Sequence, residues 1–336
     1  MEKRELVCVG KNVDLPLTGA IPFGIIDRGT NLLQIRPSSG CNLSCPFCSV
    51  DEGPVGDKAA RYEVSLDYMV EYAGAMAARK KGEDIEMHID GCGEPLLYPK
   101  ITELVDRISS MDGVEVVSMQ TNGMLLGEEK IEQLDEAGLD RLNLTVNSLD
   151  EELAKKLAGT DSYDLDKVLK NAQYVARSGI DLLVAPVWIE GINDEDIEDI
   201  IDFVKETCIG NKWPSMGVQK YREHKNGRKM EDAEEMSWKG FYDQLRKWER
   251  EYDLKLVLGP EDFGIKKRKY ALPDVFKKGQ RIGVRIVSQG WNPGQKLGVA
   301  KHRTVTVVNS ERIPLGEEVT VEILHSKHNL YIAKPV

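Results

Sequence analysis

The stretch Cys41-Asn-Leu-Ser-Cys45-Pro-Phe-Cys48 places three cysteines at CxxxCxxC spacing, directly after the apolar run at residues 32–36. Three thiolates this close along a chain are typical of a metal site. Structural zinc sites close with four protein ligands, iron–sulfur clusters usually take four thiolates, and the nearest further candidate is Cys92. A cubane held by three thiolates leaves one iron open to a small molecule, as a catalytic cluster requires. A zinc knuckle with a distant fourth ligand and three unconnected core cysteines are the alternatives.

Length and composition narrow the class of protein. At 336 residues the chain exceeds what one core usually serves, so one large domain and one small domain are expected. No apolar run approaches the length of a membrane span, and the first residues lack the long apolar region of a signal peptide. We therefore expect a cytoplasmic protein without a membrane partner. Six cysteines, three of them clustered, fit a reducing compartment better than a disulfide framework.

Charge is distributed unevenly along the chain. Residues 276–336 contain ten Lys or Arg and four Glu, a net charge of +6; because the whole chain carries −11, residues 1–275 carry −17. The basic run Lys266-Lys-Arg-Lys269 directly precedes the terminal region. Such asymmetry is typical of a module that binds an anionic polymer. A merely solvated basic face is the alternative.

The region from residue 32 onward alternates between strand-like and helix-like patterns. Strands are predicted at residues 32–36, 85–90, 114–120, 141–146, 182–189 and 216–221, and helices near residues 65–81, 99–111, 128–138, 151–178, 194–207 and 233–251. Residues 1–31 consist of short apolar pieces broken by Gly and Pro and are predicted to be a lead-in that packs on the main domain. Alternation of this kind predicts parallel βαβ units. Periodicity alone does not separate a doubly wound sheet from a barrel.

The cysteine motif resembles that of the radical S-adenosylmethionine (SAM) enzymes. The resemblance implies a 4Fe-4S cluster on Cys41, Cys45 and Cys48 whose free iron is chelated by SAM, and an electron donor such as ferredoxin or flavodoxin. It also implies a six-stranded partial (β/α) barrel at residues 32–270, with the chemistry at the carboxyl ends of the strands.

Further segments resemble the SAM-binding motifs of that superfamily. Asp90-Gly-Cys-Gly-Glu94 resembles the GGE motif, which implies that Gly93 and Glu94 hold the SAM amino group, with Cys92 at the usual first glycine. The segments after the third, fourth and fifth strands imply contacts with the SAM carboxylate, ribose and adenine. The implied residues are Thr121, Asn122, Thr145, Asn147, Ile189 and Gly191. Local turns and caps are the alternative for Thr121 and Asn122, and backbone packing is the alternative for Ile189 and Gly191.

A cation-rich loop follows the sixth predicted strand. It contains Lys220, Arg222, Lys225, Arg228 and Lys229. Arg and Lys bind phosphate, and Arg does so bidentately, so the loop is predicted to clamp a substrate phosphate. A solvated loop is the alternative.

Residues 276–336 read as short strands punctuated by glycines, which predicts a small all-β barrel of OB-like type. The segment resembles the TRAM domain, an RNA-binding module of tRNA-modifying enzymes. Together with the cation-rich loop it resembles an archaeal group of uncharacterised radical SAM proteins. Trp291 and nearby histidines suit stacking on RNA. The predicted RNA contacts in this module are Lys277, Lys278, Arg281, Arg285, Lys301 and Arg303.

The sequence therefore predicts a radical SAM enzyme that forms a 5′-deoxyadenosyl radical and modifies a nucleoside in tRNA or rRNA. The catalytic residues are not identified. Methylthiotransferases carry a further cysteine trio upstream, but only Cys8 precedes the loop here, so that reaction is disfavoured. A radical SAM enzyme acting on a small metabolite or peptide, and a non-catalytic iron–sulfur RNA-binding protein, are the alternatives.

Overall fold

The computed structural model describes residues 4–82, 84–207 and 209–336. The strands before residue 221 are β1 (Glu5–Val9), β2 (Gly24–Asp27), β3 (Leu32–Arg36), β4 (Ser39–Gly40), β5 (Ala60–Val64), β6 (Ile85–Ile89), β7 (Cys92–Gly93), β8 (Val114–Thr121), β9 (Arg141–Leu144), β10 (Asp181–Val184), β11 (Val187–Trp188) and β12 (Gln219–Lys220). The helices are α1 (Leu66–Lys80), α2 (Ile101–Ser109), α3 (Glu128–Glu136), α4 (Glu151–Ala158), α5 (Leu165–Val175), α6 (Asp194–Glu206) and α7 (Trp238–Tyr252). The remaining strands are β13 (Arg281–Gln289), β14 (Lys296–Ala300), β15 (Arg303–Val307), β16 (Glu318–His325) and β17 (Ile332–Pro335).

The chain divides into two compact units. The first contains the described residues of Met1–Gly40, Gly56–Val117 and Lys266–Val336, and the second contains Cys41–Val55 and the described residues of Ser118–Ile265. The predicted division into residues 1–31, 32–270 and 276–336 stays a prediction.

Three groups of paired strands organise the amino-terminal part of the first unit. Strand β3 pairs in parallel with β6 and antiparallel with β2. Strand β1 pairs in parallel with β5, and β4 pairs in parallel with β7. Leu33 and Ile35 of β3 and Met87 of β6 are fully buried. The predicted lead-in therefore supplies two strands, β1 and β2.

Parallel pairing continues in the second unit, where Arg141 of β9 faces Ser118 of β8 on one side and Asp181 of β10 on the other. Helix α6 buries the apolar residues that recur at helical spacing, Ile197, Ile200, Ile201 and Val204. Burial of that stripe is what stabilises an amphipathic helix in a protein.

The predicted helix at 151–178 is two helices. Helix α4 begins at Asp150, whose carboxylate accepts a hydrogen bond from the Leu153 backbone amide, and ends at Gly159 with φ of 67°. Asp164 then caps α5 in the same manner. Because Gly159 ends α4 and Asp164 starts α5 a few residues later, the predicted single helix is divided into two.

The predicted fifth and sixth strands also differ. The fifth is interrupted between Val184 and Val187, and Pro186 has no amide hydrogen to donate to a ladder. The sixth is reduced to Gln219–Lys220, which pairs in parallel with β11, after a single bridge from Met216 to Val184. The count of six strands in the partial barrel stays a prediction.

The terminal region forms a closed five-stranded barrel with strand order β13-β14-β15-β17-β16. Its interior is filled by alternate apolar residues, including Val284, Ile286, Val321 and Ile323. This architecture fits the predicted OB-like barrel.

The barrel packs on the lead-in within the first unit. The Thr304 amide donates to the Thr18 carbonyl at 2.8 Å, and the Tyr331 amide donates to the Gly19 carbonyl at 3.0 Å. Gly19 has a φ of 123°, and a Cβ there would lie 1.9 Å from the Thr304 carbonyl oxygen. Only glycine fits this approach of two backbones.

Candidate functional site

The cysteine loop lies in the second unit, directly after β4 in the chain. Cys41, Cys45 and Cys48 are half-buried. The Cys48 amide donates to the Cys45 carbonyl at 3.1 Å, so the CPFC segment folds into a turn. The Leu43 amide points at the Cys41 sulfur at 3.4 Å. Amide donors directed at sulfur are a feature of thiolates that bind metal.

Arg228 anchors this loop from the cation-rich segment. Its Nε donates to the Cys45 carbonyl at 2.8 Å, its Nη1 pairs with Asp51 at 2.7 Å, and its Nη2 donates to the Glu52 carbonyl at 2.8 Å. The Arg228 amide also donates to the Cys48 carbonyl at 2.9 Å. Arg228 was predicted to clamp a phosphate. Its guanidinium is instead committed to the backbone that carries the cysteines.

Two glycines allow the loop to pack closely on its neighbours. The Ser44 amide donates to the Ala158 carbonyl at the end of α4. A Cβ at Gly159 would lie 2.1 Å from the Ser44 carbonyl oxygen, and a Cβ at Gly53 would lie 1.7 Å from that of Leu43. The cysteine loop is therefore packed closely against the end of α4 and against Gly53.

Asn122 contacts the loop from the end of β8. Its Nδ2 lies 2.9 Å from Asn42 Oδ1 and 3.9 Å from the Cys41 sulfur. The neighbouring Thr121 hydroxyl accepts from the Gly123 amide at 3.1 Å, which is the local turn that was the alternative for this segment. The structure thus brings Asn122, predicted to contact SAM, to the cysteines.

The donor set fits an iron–sulfur cluster. Burial, reinforced by the negative charge of Cys48 and opposed by Arg228, raises the pKa of the Cys45 thiol to about 11. A thiol in such surroundings stays protonated unless a metal binds it, because coordination deprotonates it outright. Across residues 4–82, 84–207 and 209–336, no three or more Cys, His, Asp or Glu side chains already converge as a metal site.

The predicted SAM amino-group motif lies in the first unit. Gly93 pairs with Gly40, which directly precedes Cys41 in the chain. Gly93 has a φ of 143°, and a Cβ there would lie 1.8 Å from the Gly40 carbonyl oxygen. Glu94 is buried, its amide donates to that same carbonyl, and its Oε1 accepts from the Leu96 amide at 3.0 Å.

A buried ion pair supports this turn and was not identified from the sequence. The Arg36 guanidinium donates to both carboxylate oxygens of Asp90 at 2.9 and 3.0 Å, and Gln34 donates to Asp90 at 2.7 Å. Arg36 also lies 3.7 Å from the Cys92 sulfur. The bidentate pair holds the strand end from which the glycine turn begins. Its only sequence signal is a charged residue at the end of each of two apolar strands.

Asn193 organises the remaining predicted SAM contacts. Its Nδ2 donates to the Asn147 carbonyl, and its Oδ1 accepts from the Ile189 amide, both at 2.8 Å. The Asn147 side chain accepts from the Val187 amide at 2.8 Å. Ile189 is fully buried, and its amide is already bonded to Asn193. Sequence reasoning missed Asn193, which is fully buried at the start of α6.

Thr145 directly follows β9, and Gly191 lies in a turn. The Thr145 amide donates to the Thr121 carbonyl at 3.0 Å, which brings these two predicted SAM contacts side by side. Gly191 has a φ of 77° with open space around its Cβ position, and its amide donates to Asp194.

The other cations of the loop at residues 219–229 differ in how far they are exposed to solvent. The Lys220 side chain is 1% exposed and pairs with Glu235 at 2.9 Å, so it does not reach a phosphate in solvent. Arg222 and Lys229 are exposed but face Glu235 and Glu223. Lys225 is exposed.

The barrel keeps most of its predicted RNA contacts at the surface. Lys277, Lys278, Arg281, Arg285 and Lys301 are exposed, and Arg285 pairs with Asp14. Two predictions require correction. Arg303 is 8% exposed because its guanidinium donates to Asn329 and to the His302 and Pro273 carbonyls. Trp291 is 7% exposed beneath the Lys58 ammonium, at 4.7 Å, so it does not offer a stacking face.

Comparison with known proteins gives a family match. Residues 35–204 match the model of the Radical SAM superfamily. An uncharacterized protein of Methanocaldococcus jannaschii is 38% identical over 99% of this chain and 81% of its own length. A GTP 3′,8-cyclase of Aquifex aeolicus is 32% identical over 55% of this chain and 56% of its own length. The chain therefore spans just over half the length of that cyclase.

Among solved structures, Streptococcus suis SuiB has a TM-score of 0.51 at 20% identity, covering 67% of this chain and 47% of SuiB. SuiB bound to its precursor peptide SuiA gives a TM-score of 0.51 at 19% identity, covering 73% of this chain and 49% of SuiB. At this identity the likeness shows the shared fold alone. Within the described part of the chain, no helix is long and apolar enough to cross a membrane.

Proposed function

Because the chain belongs to the radical SAM superfamily, we propose that Cys41, Cys45 and Cys48 hold its 4Fe-4S cluster and that the enzyme modifies a nucleoside in RNA. The superfamily uses a 4Fe-4S cluster together with SAM. When bound, the cluster supplies the electron that cleaves SAM to methionine and a 5′-deoxyadenosyl radical. The observation that carries the cluster assignment is the anchoring of the cysteine loop by Arg228, whose side chain makes three hydrogen bonds to that segment.

The residues of this chain have distinct roles in the proposal. Asn122 and the Leu43 amide direct hydrogen bonds at the Cys41 sulfur, which favours the thiolate. Glu94 accepts a charge-assisted hydrogen bond from the SAM ammonium, a bond that suits a carboxylate because its oxygens accept several hydrogen bonds at once. Thr121, Thr145 and the Asn193-centred backbone bind the remainder of SAM. An electron donor such as ferredoxin or flavodoxin is part of the same proposal.

The barrel supports RNA as the substrate. Its exposed cations belong to a region of charge +6 in a chain whose remainder carries −17. A polyanion would be repelled by the remainder and attracted to the barrel. A TRAM-like role for the barrel is part of this proposal and rests on the closed five-stranded topology together with these cations.

The decisive experiment compares RNA from host cells that lack this protein with RNA from wild-type cells. Digested tRNA and rRNA are analysed by mass spectrometry of their nucleosides. We expect one modified nucleoside to be missing from the deletion strain and restored by the wild-type gene, but not by a Cys45→Ala variant. Identical nucleoside profiles in the two strains would contradict the RNA assignment and leave the cluster assignment standing.

The similarity to GTP 3′,8-cyclases favours a second candidate, a radical SAM enzyme that acts on a small molecule such as a nucleotide. In that case the role of the basic barrel is to stabilise the folded protein. Turnover of SAM that responds to a small metabolite, without RNA and with little dependence on salt, distinguishes this candidate.

A further inference from the structure

A second basic surface lies outside the barrel, in the segment at residues 266–270 that leads into it. The Lys266 carbonyl accepts from the Asn31 amide at 2.9 Å, and the Lys266 amide donates to Asn31 Oδ1 at 2.7 Å. The Arg268 amide donates to the Gly29 carbonyl at 2.8 Å, and Lys267 forms an antiparallel bridge with Thr30. This basic run is therefore fixed along the turn between β2 and β3.

Around the bridge at Lys267 the chain is extended, and neighbouring side chains alternate in an extended chain, so Lys266 and Arg268 lie on one side of it. Lys266 and Arg268 share Asp84, with Lys266 Nζ at 3.5 Å from its carboxylate. Lys267 and Lys269 are exposed. Within the described part of the chain, neither pairs with a carboxylate.

An exposed aromatic ring lies among the unpaired cations. Tyr270 is 45% exposed, and the ammonium groups of Lys81 and Lys269 lie 4.7 and 5.9 Å from its ring centroid. Lys81 is itself exposed in the left-handed cap at the end of α1, with a φ of 50°. We refer to Lys81, Lys267, Lys269 and Tyr270 as the Tyr270 surface.

The next segment fixes this surface to the barrel. Asp27 and Lys80 form a buried ion pair at 2.5 Å, and the other Asp27 oxygen accepts from the Leu272 amide at 2.8 Å. The Asn329 side chain, in the barrel region, donates to the Leu272 carbonyl at 2.9 Å, so the same segment is also bonded to the barrel. The Tyr270 surface and the barrel thus belong to one compact unit.

The geometry points to the Tyr270 surface as a binding site for an unpaired nucleotide of single-stranded RNA, whose base stacks on Tyr270 while Lys267 and Lys269 neutralise flanking phosphates. Stacking on an aromatic ring beside cations is how proteins bind single strands without reading sequence. Carboxylates of an acidic peptide would use the lysines, but they offer no planar ring to place on Tyr270. This inference rests on the proposed function, which supplies RNA as the partner.

The test measures binding of a fluorescein-labelled oligouridine of about 12 nucleotides to the full chain by anisotropy over a range of KCl concentrations. Tyr270→Ala is expected to weaken binding about tenfold, because the base loses the ring on which it stacks, and Tyr270→Phe is expected to retain it. The Lys267→Gln/Lys269→Gln double variant is expected to lower the slope of log affinity against log salt by about 1.4, at about 0.7 per phosphate contact.

Tyr242→Ala is the matched control. Tyr242 is also an exposed aromatic, 36% exposed, with the Arg246 guanidinium 6.0 Å from its ring, but it lies in the other unit. We expect the Tyr242→Ala variant to bind RNA with the affinity of the wild type. Circular dichroism and iron content verify that each variant folds.

The outcomes separate this inference from the proposed function. RNA binding by the wild type that is unchanged in the Tyr270 and lysine variants overturns the inference alone. Absence of RNA binding by the wild type overturns both. Binding to phosphatidylserine vesicles in place of RNA, lost in the lysine variants, also overturns the inference and identifies a membrane surface as the partner.

Discussion

The loop at residues 219–229 and the terminal barrel are both rich in cations, but they use them in opposite ways. In the loop, Arg228 binds the backbone of the cysteine segment, and the Lys220 ammonium is buried against Glu235. On the barrel, Lys277, Lys278 and Lys301 are exposed to solvent. A cation leaves water only where partners replace its hydration. Partners, and not the density of charge in the sequence, therefore decide whether a basic run holds the fold or meets a ligand.

The cysteine loop itself gives the largest expected effect. Replacing Cys45 with Ala removes one of three thiolates, and we expect the protein to lose its cluster. Anaerobic reconstitution followed by iron analysis and visible absorption measures this, with about four irons per chain expected for the wild type. Cys8→Ala, at an exposed cysteine away from the motif, should keep the full iron content. Stoichiometric zinc in the native protein that iron does not replace would contradict the assignment.

The contrast between anchored and exposed cations is tested by two arginines of one loop. Arg228→Ala removes three hydrogen bonds to the cysteine segment, and we expect a loss of about 3 kcal/mol in the free energy of unfolding together with poor iron retention. Arg222→Ala, at a side chain 49% exposed, should change stability by less than about 0.5 kcal/mol. Denaturant titration measures both variants. Arg228→Lys should recover little, because an ammonium lacks the fork that reaches three acceptors. Equal stability of the two alanine variants would show that the anchoring contributes nothing.

Glu94 gives the next effect. Glu94→Gln keeps an oxygen for the Leu96 amide but removes the charge that binds the SAM ammonium, so the fold and the cluster should persist. We expect SAM affinity to fall about tenfold or more, since a hydrogen bond to a charged group contributes about 1.5–3 kcal/mol. Equilibrium dialysis with labelled SAM and the rate of 5′-deoxyadenosine release provide the measurements. Glu115→Gln, at an exposed carboxylate on β8, is the control. Unchanged SAM binding in Glu94→Gln would show that the Glu94 side chain serves only to accept the hydrogen bond from the Leu96 amide.

The exposed cations of the barrel give the smallest effect per residue. Replacing Lys277, Lys278 and Arg281 together with Gln should lower the salt slope of RNA binding by about 2, at about 0.7 per contact. The same number of exposed cations on α7, Lys239, Lys247 and Arg250, forms the control set. Substitution is a more specific test than deletion of the barrel. Thr304 and Tyr331 are bonded to residues 18 and 19, so deletion would also remove contacts of the lead-in. Equal salt slopes for the two triple variants would remove the barrel from the RNA surface.

Much of the architecture was predictable because its signals are local. The strands β3, β6, β8 and β9 begin at the predicted residues, since each is a short apolar run bounded by polar or glycine residues. The alternation in the barrel likewise matches its buried positions, such as Val321 and Ile323. Strands β1 and β5 were not predicted. Each is short, and they pair with each other across more than fifty residues, which no local pattern records.

The sequence by itself determined the cysteine motif and the strand and helix periods, because each depends on residues within one or two turns of the chain. Only the tertiary structure decided which polar residues are buried and which partner residues they bind. Arg228 reaches Cys45 across 183 positions, and Arg36 reaches Asp90 across 54. The cost of desolvating a charge depends on burial and on partners from distant segments, so the same residue type becomes an anchor in one place and a free cation in another.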